Sequence, residues 1–152
     1  MSGASRNSFT MDQNMRLEDG VTTFTTAGGA GLGQVGGANA IVDLGGATGN
    51  AGAYTPCSWV VDVDALEFTT EDETYSIWFQ LSDSATMASG VVIKAGLQMG
   101  DAANNAADDE VAGRVVLGVD NEYKGNLYRY GAIWALAAGT TAVMTIRSFL
   151  SR

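Results

Sequence analysis

Apolar and polar residues that alternate at every second position can bury one face of a strand but not one face of a helix. This alternation recurs along most of the chain. It is clearest in residues 74–82, where Tyr75, Ile77, Phe79 and Leu81 fall on one face and Thr74, Ser76, Gln80 and Ser82 on the other, with Trp78 the exception. In residues 91–99, Val91, Ile93, Ala95, Leu97 and Met99 oppose Val92, Lys94, Gly96 and Gln98. Residues 114–120 alternate through Val115, Leu117 and Val119, and residues 58–64 through Trp59, Val61 and Val63. Segments 21–26 and 39–44 are shorter candidates, and 127–136 with 141–148 form a final pair. Eight strands are predicted, separated by Gly, Asp and Asn clusters.

The last two strands are joined across Ala138-Gly139-Thr140, short enough for a hairpin. Residues 131–146 are uncharged, but sixteen residues are too few to cross about 30 Å of hydrocarbon. Two sheet strands, not a membrane segment, are expected there. Eight antiparallel strands predict an all-β fold, a β-sandwich of the jelly-roll kind, which is one way to cover sheet edges. A length of 152 residues suits one domain with its own core.

The sequence divides into residues 1–37, an extended N-terminal arm followed by a Gly-rich segment, and residues 38–152, the jelly-roll domain. Residues 1–20 are polar with isolated apolar side chains, Phe9, Met11, Met15 and Leu17, as expected of an arm that orders against a partner. Deleting 1–20 is therefore expected to leave the fold intact. Residues 28–52 contain ten glycines and 101–113 form an Ala/Asn/Asp loop.

Several function classes fall away on composition. The chain has no histidine, which removes Ser-His-Asp and Cys-His catalysis and the commonest zinc ligand, so no enzyme activity is expected. Eight basic against seventeen acidic residues give a net charge of −9, with the basic residues scattered, so nucleic acid is not an expected partner. Cys57 is the single cysteine, between Pro56 and Ser58, with no neighbouring charge to activate it. Residues 1–10 lack an apolar run, so no secretory signal is expected. The GxGxxG match at 31–36 lacks the preceding strand and following helix that dinucleotide binding needs. Asp62 and Asp64 share a strand face, and Glu71-Asp72-Glu73 and Asp108-Asp109-Glu110 are acidic turns without the EF-hand spacing. No cofactor or metal is expected.

Tyr128, Arg129, Tyr130 and Trp134 hold more interest. Tyr128, Tyr130, Trp134 and Leu136 share one strand face and Arg129 opposes them. Two readings stand: an aromatic core with a surface arginine, or an assembly interface, where Tyr, Trp and Arg are enriched.

From Asn39 onward the order of features resembles the capsid cement, or decoration, proteins of tailed bacteriophages, in particular the jelly-roll family typified by a Bordetella phage cement protein. The likeness rests on Ile41-Val42-Asp43-Leu44-Gly45, Val60-Val61-Asp62-Val63 and Tyr75-Ser76-Ile77-Trp78-Phe79-Gln80-Leu81-Ser82-Asp83. It continues through Gly113-Arg114, Tyr128-Arg129-Tyr130, Ala138-Gly139-Thr140 and Ser148-Phe149-Leu150. The long segment before Asn39 departs from that pattern. The resemblance implies a virion protein made in the bacterial cytoplasm and carried on the capsid exterior. It would form a homodimer or homotrimer and bridge the phage's major capsid protein, with no nucleic acid or membrane partner. Phe9, Met11, Met15, Arg16, Leu17, Tyr128, Arg129, Tyr130 and Trp134 are the candidate capsid or subunit contacts. A carbohydrate-binding β-sandwich using Trp59, Trp78 or Trp134, a glycosidase built on paired carboxylates, and a head-fibre or tail component are the alternatives.

Overall fold

A computed structural model describes residues 13–45, 54–67, 69–70, 72–100 and 113–152. Within these the chain is all-β, apart from a short 3-10 turn at Gln13–Met15. Its long strands are β1 (Arg16–Thr25), β6 (Pro56–Leu66), β7 (Thr74–Ser82), β8 (Val92–Met99), β9 (Gly113–Asp120), β12 (Tyr130–Ala138) and β13 (Val143–Ser151). Six two-residue strands lie between them: β2 (Gly31–Leu32), β3 (Gln34–Val35), β4 (Ala38–Asn39), β5 (Val42–Asp43), β10 (Glu122–Tyr123) and β11 (Asn126–Leu127).

Two antiparallel sheets form the body. The first runs β1-β13-β6-β9, and the second runs β2-β12-β7-β8, with β5 also on the outer edge of β12. Hairpins β3-β4 and β10-β11 stand apart. Their inward faces make one core: Leu17, Trp59, Val61 and Ile146 from the first sheet meet Ile77, Phe79, Leu81 and Ile133 from the second. Segment 131–146 supplies parts of β12 and β13, each buried on its inward face. Among the described residues no helix is long and apolar enough to cross a membrane.

The predicted boundary at residue 37 is not where the fold begins. β1 pairs with β13 from Arg16 onward, and Leu17 is fully buried in the core beside Met15. Two register shifts, between Arg16 and Glu18 and between Asp19 and Thr23, break the two-residue period that would have marked this strand. Phe9 and Met11 lie outside the described residues, whereas Met15 and Leu17 are committed to this chain's own core.

Glu18 explains how the bulge is held. It is 1% exposed, and its carboxylate accepts backbone N–H groups from Asp19 (3.1 Å), Gly20 (3.2 Å) and Gln34 (2.7 Å). Burial pushes its carboxyl above the ordinary value, and the backbone donors only partly offset that. Gly33 lies where the chain crosses β1: a Cβ there would sit 2.0 Å from the Leu17 carbonyl oxygen and 2.6 Å from Ile133. Of the glycines of 31–36, Gly33 thus serves close backbone approach and Gly36 a positive φ, with β2 and β3 where a phosphate-binding loop would need a helix.

The far end of the sandwich is tied by polar groups. Tyr75 is buried, and its hydroxyl donates to the Glu67 carbonyl while accepting the N–H groups of Glu67 and Val143, each at 3.2 Å. Next to it, the Asp72 carboxylate accepts from the Thr140 N–H (3.0 Å) and the hydroxyls of Thr140 and Thr70 (both 2.7 Å). These bonds hold its carboxyl down at about 2. Glu73 accepts from the Thr70 hydroxyl and, at 2.8 Å, from the Thr141 hydroxyl. Burial pushes its carboxyl up, but these donors outweigh that and leave it below its ordinary value. Asp72 and Glu73 therefore clamp the β6–β7 connection to the β12–β13 hairpin.

Candidate functional site

The two outward faces differ in chemistry. On the first sheet, Asp19, Arg147, Asp62 and Arg114 stand directly opposite one another across β1, β13, β6 and β9. Their signs alternate. Arg114 grips Asp62 through Nε and Nη2 (2.6 and 2.8 Å), and Arg147 grips Asp64 likewise (2.9 and 2.7 Å). The Arg114 guanidinium holds the Asp62 carboxyl below its usual range. The neighbouring row is Arg16, Phe149, Val60 and Val116. Phe149 lies under the Arg114 guanidinium, 5.9 Å from ring centroid to cation. Arg16 is half-buried there, and its Nε has no hydrogen-bond partner among the described residues.

The second sheet presents no charge at the corresponding place. Its central row is Leu32, Trp134, Trp78 and Gly96, one residue from each of β2, β12, β7 and β8. On one side of that row lie Ala132, Gln80 and Ile93, and on the other Leu136, Ser76 and Gln98. Ile93 is 51% exposed, and both tryptophans are half-buried. Beside Trp78 is a depression of ≈ 230 Å³ lined by Ser76, Trp78, Gly96, Leu97 and Gln98.

This face corrects two expectations. In β12 the core-facing residues are Gly131, Ile133, Ala135 and Ala137, so Tyr130, Trp134 and Leu136 turn outward and do not line an aromatic core. The reason is space at the end of the strand: a Cβ on Gly131 would lie 2.9 Å from Phe79 and 3.2 Å from Leu44, so only glycine fits there. In β8 a register shift opposite Phe79 and Gln80 puts Ile93 on the outer face and Val92 against the core.

Arg129 is not a free cation. Its guanidinium holds Asp43 by contacts of 2.8 to 3.3 Å and lies 5.1 Å from the Tyr130 ring centroid. The Arg129 N–H donates to Asp83 at 3.1 Å, and its carbonyl accepts the Leu44 N–H at 2.7 Å. Its work is to seat β5 on the end of β12. Tyr128 packs partly against the core, and its carbonyl accepts from the Asn121 side chain at 3.1 Å. Of the nominated residues, the structure brings Tyr130 and Trp134 onto one outward face and places Arg16 on the opposite one.

Trp59, the third tryptophan, is fully buried and is no surface platform. Burial pushes the Cys57 thiol up, away from reactivity. Among the described residues no three His, Cys, Asp or Glu side chains are grouped to hold a metal ion. Trp78 is named from the sequence as one platform of the carbohydrate-binding alternative but not among the capsid or subunit contacts. Its break in the period-2 pattern of β7 was the available signal, since an aromatic on a polar face marks that face as apolar. Compared with known proteins, the chain matches no family model, no curated protein and no solved structure.

Proposed function

We propose that the chain is a structural virion protein, a capsid cement protein that binds the outside of a tailed-phage head as an oligomer and clamps neighbouring major capsid subunits against the pressure of the packaged genome. The strand order carries this reading. Taking β1, β2, β6, β7, β8, β9, β12 and β13 in turn, the sheets run first-eighth-third-sixth and second-seventh-fourth-fifth, which we read as the two Greek keys of a jelly roll. That order supports the same reading as the sequence resemblance.

A clamp needs area and repetition, not chemistry, because many linked weak contacts gain from effective concentration. The first sheet supports a place for the shell contact. Residues 1–12, with Phe9 and Met11, precede the strand that enters this sheet, and Arg16 lies there in one row with Phe149, Val60 and Val116.

Co-sedimentation of the purified protein with expanded phage heads, together with light scattering of the free protein, tests the proposal. Saturable binding at a copy number set by the shell's symmetry, by a protein that is oligomeric in solution, is expected. A monomer that sediments with no shell overturns it.

A further inference from the structure

The row across the second sheet has a chemistry that neither the core nor the shell contact uses. We propose that it is a binding site for a neutral oligosaccharide, with the Trp78 indole as the stacking surface, Gly96 as the open slot beside it and Trp134 extending the platform.

The chain carries 25 acidic and basic residues, yet none occupies the central row or the rows flanking it. Lys94, at the bulge in β8, is turned to Asp120 at 2.7 Å. Within these rows a charged ligand would find no ionic partner, and a charged protein surface would find no counter-charge. A sugar ring needs neither: its C–H face lies on an indole and its rim hydroxyls exchange hydrogen bonds with neutral amides and hydroxyls. Gln80, Ser76 and Gln98 supply those groups on either side of Trp78. Burying them against hydroxyls exchanges water bonds for ligand bonds, with no ionic desolvation to overcome.

Gly96 is the second observation. A Cβ at this position would lie 3.1 Å from Trp78 Cδ1, so any larger residue crowds the indole and fills the depression. Position 96 is on the outer face of an edge strand, where a bulkier residue would otherwise cost the fold little. The geometry also suits a linear ligand. Four strands about 4.8 Å apart make the row about 14 Å long, and the two tryptophans stand side by side within it. This site does not depend on the capsid reading, because it lies on the sheet opposite the proposed shell contact.

The test is titration of the full chain with neutral cello-, xylo-, manno- and chito-oligosaccharides and a polyanionic glycan as control, read by tryptophan fluorescence and calorimetry. Trp59 is fully buried, so the fluorescence response reports Trp78 and Trp134. At least one neutral oligosaccharide is expected to bind and the polyanion is not. Trp78→Ala should weaken binding by about tenfold or more, and Gly96→Val should abolish it, both with unchanged unfolding midpoints; if Gly96→Val does not fold, Trp134→Ala serves as the second variant. Capsid co-sedimentation by Trp78→Ala should be unchanged, which separates this site from the cement role. Failure of every neutral oligosaccharide to bind at millimolar concentration overturns the proposal. So does binding that Trp78→Ala leaves intact, or self-association without glycan binding that Trp78→Ala dissolves.

Discussion

Trp59 of the first sheet and Phe79 of the second meet in the middle of the sandwich, ring centroids 5.8 Å apart and planes tilted by 34°. The contact joins the sheets through two buried rings. At its other end the Trp59 indole N–H donates to the Ser148 hydroxyl at 2.9 Å, so a buried donor is satisfied within the first sheet. Phe79→Ala should cost about 3–5 kcal/mol by opening a cavity against Trp59 and Gly131. Ser148→Ala, which strands the indole N–H, should cost about 1–3 kcal/mol. Urea unfolding of both variants measures this, and Phe79→Ala equal to wild type would contradict the packing.

Tyr75→Phe removes one oxygen and takes the hydroxyl partner from the Glu67 carbonyl and the Val143 N–H at the sandwich's end, while the Glu67 N–H keeps the Val143 carbonyl at 3.0 Å. A loss of about 1–3 kcal/mol is expected in the same unfolding assay, with little change in the slope against denaturant.

Acid sensitivity should concentrate at the Asp72 clamp. Its carboxyl is held at about 2 against an ordinary 3.8, so its stabilisation is complete above pH 3.8 and is lost as the pH falls towards 2. Glu73, also lowered, acts in the same direction. Glu18 acts in the opposite one: with its folded-state value raised above 4.5, its contribution is greatest when protonated and is lost as the pH rises through that raised value. Thermal unfolding from pH 7 to pH 2 should show a steeper acid decline for wild type than for Asp72→Asn. Parallel curves would show that the clamp is not what titrates.

Gly33→Ala places a methyl group 2.0 Å from the Leu17 carbonyl, and backbone cannot step aside as a flexible side chain does. Destabilisation of at least about 1–3 kcal/mol is expected, visible as a lower melting temperature. Gly36→Ala tests a different cause, since nothing lies within 4 Å of a Cβ there and only its φ of +62° opposes the change.

Truncation separates arm from strand. Removing residues 1–12 keeps Met15 and Leu17, whereas removing 1–20 deletes a fully buried leucine and the first half of β1. The shorter deletion should fold and bind phage heads more weakly; the longer one should fail to fold, contrary to what composition alone predicts. Circular dichroism of both and head binding of the first decide the point.

The local sequence by itself determined the all-β class and the long strands from residue 56 onward. In β7 it also determined the buried face, Tyr75, Ile77, Phe79 and Leu81. Period-2 alternation is a local property, so one residue after another declares its side without reference to the rest of the fold. Only the tertiary structure decided the faces of β12 and β8, the membership of β1 and the commitment of Arg129 to Asp43. In β12, Gly131, Ala135 and Ala137 face inward beside Ile133, and no larger residue fits at 131 because Phe79 and Leu44 fill the space there. In β1 and β8, bulges shift the period by a residue and carry side chains to the other face. The outward aromatic row had the same cause: volume matching between distant strands turned Trp134 away from the core and set it beside Trp78.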